Sequence, residues 1–218
     1  MFTDKIILTD KPLNWTSTDV VRFLKKSLSL TKVGHAGSLD PRATGLLILC
    51  TDRMTKQINN FMDSEKEYQG IIRIGAKTRS FDTETEEEEI RDASGITDEM
   101  IENARKTFLG EIQQVPPMHS AIKLNGRPAY KLARKGTMLD LKARKVTIKV
   151  FDIKRLNSDE IYFSIICSKG TYIRSIANDL GEKLGVGGYL KELRRIRIGE
   201  YDLNNLDKKI GEINYNVL

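Results

Sequence analysis

The sequence of 218 residues contains only two cysteines and two histidines. Cys50 and Cys167 each lie inside an apolar run, which is typical of buried free thiols in a reducing compartment. His35 and His119 are not spaced with the cysteines in the way that a zinc site requires. We therefore expect neither a disulfide nor a bound metal.

Long apolar stretches and common cofactor motifs are also missing. No segment approaches the length of a membrane span, and the first residues lack the apolar core of a signal peptide, so we expect a cytoplasmic protein with no membrane partner. There is no GxxxxGK[ST] loop, no GxGxxG after a strand, no HExxH and no GxSxG. Chemistry performed by a carboxylate without a cofactor is the interpretation that remains.

Positive charge is in excess. The chain has 36 Lys and Arg against 30 Asp and Glu, which gives a formal net charge of +6. This balance suits a polyanionic partner, although many basic proteins bind no nucleic acid. The hydrophobic content of 39% and the charged content of 30% are typical of a globular protein.

Strand-like and helix-like segments follow one another without a regular βαβ alternation. This order predicts an α+β fold with a mixed, largely antiparallel sheet flanked by helices and loops. Thr16 and Asp19 have the spacing of a capping box and predict a helix start. Other predicted elements are strands over 6–8, 46–50, 68–74, 145–151, 160–167 and 196–198, and helices over 97–108, 130–134, 172–184 and 190–193. The acidic run 82–89 is interpreted as a solvated loop.

The most informative segment is residues 34–45, a glycine-flanked loop with one carboxylate, Asp40. The apolar run 46–50 follows directly and predicts a buried strand that anchors the loop. A carboxylate held on such a loop is typical of an active site. The alternative is that Asp40 only caps a turn, since Asp-Pro commonly begins one.

Basic residues crowd into the stretch between 123 and 145, after a segment with none. Asn125-Gly126 predicts a tight hairpin within it, and Tyr130 is interleaved with the charges. Such a basic hairpin with an aromatic residue can grip a phosphate backbone, and the alternative is a solvated surface. The candidate contacts are Lys123, Arg127, Lys131 and Arg134.

Two further basic segments follow. Residues 167–174 join a strand to a helix, and Arg174 in the first helical turn can bind an anion or be an ordinary surface arginine. For residues 191–197, the alternative to a basic binding stretch is a solvated helix face.

Taken together, these segments resemble the TruB family of pseudouridine synthases, which isomerise uridine 55 in the TΨC loop of tRNA. The resemblance runs from about residue 7 to residue 201. Residues 34–45 are similar to the family signature GHxGxLDPxAxG, and residues 8–17 to its DKPxGxTS segment. Asn14 stands where the family usually has a glycine. Three further segments are similar to family motifs. Residues 66–68 resemble the Tyr-bearing strand, and residues 167–174 resemble the Arg-bearing motif. Residues 112–121 and Lys123 resemble the segment that leads into an RNA-gripping insertion.

The resemblance implies a pseudouridine synthase fold, with residues 1–218 as a single catalytic domain. An RNA-gripping insertion is expected at about residues 112–145, and no C-terminal PUA domain is expected. The implied partner is tRNA, through its TΨC stem-loop, with no cofactor and no obligate protein partner. We expect a monomer.

The resemblance also implies roles for individual residues. Asp40 is the nucleophile, and Arg174 is its ion-pair partner. Tyr68 stacks on the target base, and Leu193 packs against the site. The alternatives are a half-buried strand tyrosine for Tyr68 and plain core packing for Leu193.

Two residues keep open interpretations. His35 either fills the gap left by a flipped base or is a hydrogen-bonded loop histidine. Lys11 is either a structural residue or a phosphate contact. The chemical route is open too: Asp40 attacks the sugar, adds to the uracil ring, or assists a route through loss of the ribose 2′ proton.

Two alternative functions remain beside this interpretation. One is a synthase that acts on another RNA, including the relative that works within a guide-RNA particle. The other is a non-catalytic module that binds or folds tRNA. The carboxylate, tyrosine and arginine that the resemblance places in the site argue against a binding module, because binding a polyanion does not need a carboxylate.

Overall fold

The computed structural model describes residues 2–120, 122–124, 126–133, 141–204 and 206–218. Its strands are β1 (Ile6–Lys11), β2 (Val33–His35), β3 (Ala43–Thr51), β4 (Lys66–Ile74), β5 (Lys77–Thr78), β6 (Glu87–Glu88), β7 (Gly110–Gln114), β8 (Lys123–Leu124), β9 (Arg127–Pro128), β10 (Arg144–Arg155), β11 (Glu160–Cys167), β12 (Gly188–Ile198), β13 (Tyr201–Asp202), β14 (Lys208–Ile210) and β15 (Ile213–Val217). Its helices are α1 (Ser17–Ser27), α2 (Ile58–Asp63), α3 (Asp98–Lys106), α4 (Ala129–Ala133) and α5 (Ile173–Lys183), with a 3-10 helix at Asp52–Gln57. The predicted α+β class is confirmed.

The chain divides into two compact units. The first comprises Met1–Gln69 and Glu192–Leu218, and the second comprises Gly70–Lys191. The chain passes from the first unit to the second within β4 and returns within β12.

The first unit contains a mixed, mostly antiparallel sheet. Its strands follow the order β14, β15, β1 and β3 with antiparallel pairing, and β2 also pairs with β3. The returning part of β12 runs parallel to β3, with Leu193 opposite Ala43. A parallel neighbour therefore lies directly beside the strand that follows the Asp40 loop.

Strand β3 is buried on both faces, which explains why its sequence shows an apolar run rather than an alternation. Leu47 and Leu49 belong to one hydrophobic cluster together with Val20 and Leu24 of α1. The intervening β3 residues contribute to a second cluster, which lies around Ile198. The two-residue period of a strand sends successive side chains to opposite faces.

Helix α1 begins as the capping pattern predicts. The Asp19 backbone N–H donates to Thr16 Oγ1 over 3.1 Å, and the Thr16 N–H donates to Asp19 Oδ2 over 2.9 Å. This reciprocal capping box fixes the start of the helix just after the N-terminal loop.

The second unit is built around an antiparallel set of strands, in which β10 pairs with β7 on one side and β11 on the other. Phe151 of β10 packs edge-to-face with Phe108 and Phe163. Strands β8 and β9 form the hairpin predicted around residues 125–126, and Gly126 has a positive φ of 78°. Asn125 lies outside the described residues.

Three local predictions were wrong. Residues 190–193 are not helical but belong to β12, because parallel pairing with β3 overrides the local pattern. Residues 196–198 end β12 and are not the final strand, since β13, β14 and β15 follow. The run 82–89 is not a uniformly solvated loop, because Asp82 is buried and Glu87–Glu88 forms β6.

The thiols agree with the prediction, since Cys50 and Cys167 are both buried and are not joined in a disulfide. Burial raises the pKa of the Cys50 thiol to about 11. No described helix is long and apolar enough to cross a membrane.

Candidate active site

Asp40 lies in the short loop between β2 and β3 and is half-buried. The Ala43 N–H donates to the Asp40 carbonyl over 3.0 Å and closes the turn after the carboxylate. Gly37 precedes it with a positive φ of 88°, a conformation that favours glycine. The backbone of this loop is therefore held in one particular conformation.

Both chain neighbours of Asp40 are tied to the N-terminal segment. Ser17 Oγ accepts a hydrogen bond from the Leu39 N–H at 2.9 Å and donates to the Leu39 carbonyl at 3.3 Å. On the other side, the Asn14 N–H donates to the Pro41 carbonyl over 2.8 Å. These contacts place the carboxylate by fixing the main chain before and after it.

Asn14 explains how the chain does without the glycine of the family pattern. Its φ is 65°, a left-handed conformation that asparagine tolerates better than most residues. Its Oδ1 accepts a hydrogen bond of 2.9 Å from Arg42 Nη1, two residues after Asp40. The substitution therefore keeps the turn and adds a side-chain contact to the loop.

Lys11 ends β1 and is fully buried. Its Nζ donates to the carbonyls of Pro12 at 2.8 Å and Trp15 at 2.7 Å, and lies 3.5 Å from that of Pro41. Burial lowers the pKa of Lys11 to about 8, while the Asp40 carboxylate opposes this shift. These contacts favour the structural alternative over a phosphate contact.

Arg195 of β12 has an almost fully buried side chain and reaches the same loop. Its Nε donates to the Leu46 carbonyl at 2.8 Å, and its terminal nitrogens donate to the carbonyls of Gly37 at 3.3 Å and Ser38 at 3.5 Å. The alternative of a solvated helix face for residues 191–197 was therefore wrong for this residue.

His35, at the end of β2, is half-buried. Its Nδ1 has no hydrogen-bond partner among the described residues. That nitrogen therefore does not support the alternative of a hydrogen-bonded loop histidine. Burial lowers the pKa of His35, and the charge of Arg195 lowers it further. The imidazole is therefore neutral at neutral pH.

Tyr68 and Leu193 also lie in the first unit. Tyr68 is a buried residue of β4, and Leu193 is half-buried in β12. The main chain of Leu193 pairs with Ala43, and its carbonyl lies 3.5 Å from Thr44 Oγ1. The fold thus brings Leu193 beside the strand that leaves the Asp40 loop.

Arg174 belongs to the second unit, in the first turn of α5 as predicted. Its side chain is buried, and Nε lies 3.6 Å from Asp82 Oδ2. Its terminal nitrogens donate to the carbonyls of Ser80 at 3.0 Å and His119 at 2.9 Å. The alternative of an ordinary surface arginine is wrong, and its pairing with Asp40 stays a prediction.

The predicted RNA contacts fall in a partly described region. The main chains of Lys123 and Arg127 form the β8–β9 hairpin, and Lys131 lies in α4. Arg134 lies outside the described residues. Within the described ranges, no group of three or more His, Cys, Asp or Glu side chains is placed to hold a metal ion.

Comparison with known proteins agrees with this geometry. Residues 25–173 match the sequence model of the TruB family pseudouridylate synthase N-terminal domain, and residues 174–209 match the tRNA pseudouridylate synthase B C-terminal domain. The chain belongs to the TruB family. Asp40 and its loop lie within the N-terminal match, as do His35 and Tyr68. Leu193 and Arg195 lie within the C-terminal match.

Individual relatives extend the similarity to nearly the whole chain. The chain is 48% identical to tRNA pseudouridine synthase B of Chlorobaculum tepidum, covering 95% of this chain and 90% of the relative. It is 45% identical to tRNA pseudouridine synthase B of Flavobacterium johnsoniae, covering 92% and 91%.

Two solved structures show the same fold. A chain of a Cbf5–Nop10–Gar1 complex superimposes with a TM-score of 0.74 at 27% identity, covering 94% of this chain and 52% of that chain. A chain of an H/ACA RNP bound to a substrate RNA that contains 2′-deoxyuridine gives a TM-score of 0.70 at 26% identity, covering 94% and 50%. This chain therefore spans about half the length of those chains, and the predicted pseudouridine synthase fold is confirmed.

The sequence interpretation missed two buried charged residues, one in each unit. Arg195 lies in a run of charged residues, a pattern that is typical of a solvated surface. The β-branched Ile196 and Ile198 nearby favour a strand and were the available signal. Asp82 was hidden at the start of an acidic run, although the Thr78 and Ser80 hydroxyls that donate to its carbonyl are typical of a structured turn.

Proposed function

We propose that this chain converts uridine to pseudouridine in tRNA, at uridine 55 of the TΨC loop. The observation that carries the proposal is the placement of Asp40, whose chain neighbours are both tied by hydrogen bonds. Family membership and the names of the relatives support the reaction and the tRNA substrate. We expect the reaction to need no cofactor.

The reaction breaks the N1–C1′ bond of uridine and forms a C5–C1′ bond. The proton on C5 is lost and N1 gains one, so the product is an isomer of the substrate. A carboxylate suits this chemistry because it can attack or shield positive charge that develops at C1′. Asp40 takes this role, whether it attacks the sugar, adds to the ring, or assists loss of the 2′ proton.

The surrounding residues take supporting roles in the proposal. Arg174 pairs with Asp40 and keeps it ionised once the base has excluded water. Tyr68 stacks on the target base, and Leu193 packs against the site. Lys11 supports the loop through the carbonyls that it binds.

The target uridine lies inside a folded RNA loop, so its base has to be flipped out of the stack. Flipping costs roughly a few kcal/mol. His35 fills the gap that the base leaves in the stack. Its neutral ring, without a partner on Nδ1 among the described residues, suits contact with neighbouring bases.

The basic insertion at about residues 112–145 grips the RNA backbone in this proposal. Replacing Lys131 or Arg134 with alanine should weaken tRNA binding and reduce the salt slope of log Kd by about one. Lys25→Ala, at an exposed position in the last turn of α1, is the matched control. Filter binding between 50 and 200 mM salt measures both the Kd and its salt slope. An unchanged slope would show that the insertion does not contact the RNA backbone.

The further expectations are a single catalytic domain over residues 1–218, a monomer without an obligate protein partner, and a cytoplasmic location. The chains of the Cbf5 complex and of the H/ACA RNP are solved together with other molecules, so gel filtration of this protein with and without tRNA tests the monomer directly.

Tritium release tests the proposed reaction, because C5 loses its hydrogen only when the new bond forms. The purified protein is incubated with [5-³H]uridine-labelled tRNA transcript, beside a transcript that carries cytidine at position 55. We expect release from the first transcript and none from the second. Equal release from both would place the reaction at another uridine, and binding without release would favour the tRNA-binding module.

A further inference from the structure

We propose that Arg195 is a positioning residue for Asp40, because its guanidinium joins the two ends of the loop that carries this carboxylate. The inference rests on the proposed function and adds a residue to its machinery. Arg195 does not have to touch the substrate, since it acts through the loop backbone.

The contacts of the guanidinium lie on both sides of Asp40 in the chain. Gly37 and Ser38, whose carbonyls accept from the terminal nitrogens, precede it. Leu46, whose carbonyl accepts from Nε at 2.8 Å, follows it in β3. A planar, rigid fork of donors is suited to hold such separate acceptors in a fixed relation.

The main chain of Arg195 is also fixed in position. The parallel register of β12 and β3 places Arg195 opposite Gly45, and a Cβ at Gly45 would overlap with the Arg195 main chain. Gly45 has a φ of 105°, which favours glycine. The backbone of Arg195 therefore lies directly against the strand that leaves the loop.

The burial of a charge argues against a role in packing alone. Arg195 is 2% exposed. Among the described residues, its guanidinium contacts are hydrogen bonds to backbone carbonyls and not to a carboxylate. Placing a cation in the interior is costly, and an apolar side chain of similar volume usually fills such a position at less cost. A guanidinium is needed here for its hydrogen bonds to the loop.

The positive charge of Arg195 also lowers the pKa values of residues around the loop. After burial, the charge of Arg195 is the next cause of the lowered pKa of His35. At Lys11 it acts against the opposing effect of Asp40. A buried cation beside the loop favours the ionised form of a carboxylate on it, which nucleophilic action requires.

The test compares three variants in the full-length protein. Arg195→Met removes the hydrogen bonds and the charge, and Arg195→Lys keeps the charge without the fork. Arg197→Gln is the matched control, because Arg197 lies two residues further along β12 and pairs with Glu65 and Glu67. The assay measures kcat by tritium release, Kd for tRNA by filter binding and Tm.

We expect Arg195→Met to lower kcat by about 100-fold, since small misplacements of a reacting group have effects of this size. Arg195→Lys should lose about 10-fold, and Kd should stay within about 3-fold of wild type in both. Arg197→Gln should lower Tm and keep kcat, because it destabilises the fold without touching the Asp40 loop.

A kcat within about 3-fold of wild type for a folded Arg195→Lys and Arg195→Met would overturn the inference, as would an equal loss in Arg197→Gln. If Arg195→Met does not fold, the kcat of Arg195→Lys alone tests the inference. Absence of tritium release by the wild-type protein would instead reject the proposed function, and the inference with it.

Discussion

Two buried arginines, one in each unit, are held in different ways. Arg174 has the carboxylate of Asp82 3.6 Å from its Nε, in addition to two backbone carbonyls. Among the described residues, Arg195 donates to backbone carbonyls and not to a carboxylate. The first arrangement balances a charge within the second unit, whereas the second uses a charged group to shape a loop.

The two arrangements predict different consequences when each arginine is removed. A buried ion pair is most sensitive to the loss of one partner, because the other charge is then stranded. A guanidinium that binds carbonyls leaves only neutral acceptors behind when it is removed. The stability of the fold should therefore depend more on Arg174 than on Arg195. In catalysis, Arg174 acts through its proposed pairing with Asp40, and Arg195 acts through the position of the loop.

The largest effect on stability is expected for Arg174→Met. It leaves Asp82 buried without its partner and should lower the free energy of unfolding by about 3–5 kcal/mol. Adding Asp82→Leu to the same protein should recover part of this loss. Urea denaturation measures both variants, and a loss below about 1 kcal/mol would show that Asp82 is not the balancing charge.

Lys11 provides a test of the buried charges in the first unit. Its pKa of about 8 lies below the ordinary lysine value of 10.5, so the folded protein gives up this proton at a lower pH than the unfolded chain does. Because the unfolded state binds more protons between these values, the stability contribution of Lys11 rises with pH across that window.

The expected rise between pH 7.5 and 9.5 is about 1–2 kcal/mol, measured as the difference in unfolding free energy between wild type and Lys11→Met. The Met variant is the reference because it does not titrate and cancels the pH dependence of all other groups. A difference that does not change with pH would mean that Lys11 is not held as a desolvated cation.

The smallest effect is expected for Asn14→Gly. Glycine accepts the φ of 65° without strain, so only the hydrogen bond to Arg42 is lost. Stability should change by less than about 0.5 kcal/mol. Asn14→Val should cost about 1–2 kcal/mol, because a β-branched residue is strained in the left-handed region. Equal thermal stability of the two variants would contradict this account of the turn.

Much of the first unit could be predicted from the sequence because the signals are local. The capping box at Thr16 and Asp19, the apolar run after Asp40 and the glycine-flanked loop each specify their own structure. The family resemblance correctly indicated the fold, since its motifs are distributed along the chain in the right order.

The surroundings of the two arginines could not be predicted in the same way. The burial of Arg195 depends on parallel pairing between β3 and β12, which are distant in the sequence. The pairing of Arg174 with Asp82 joins a helix start to an acidic run that looks solvated when considered alone. Charged residues in the interior follow from the tertiary structure, and local sequence patterns place them on the surface.

The most direct test of the central claim is tritium release by Asp40→Asn beside the wild-type protein. Asparagine keeps the size of the side chain and removes the negative charge. We predict that kcat falls by at least about 10⁴-fold, as for the loss of other nucleophiles, while tRNA binding stays within about 3-fold. Turnover by the variant at a rate close to that of wild type would contradict the assignment of Asp40 as the reacting carboxylate.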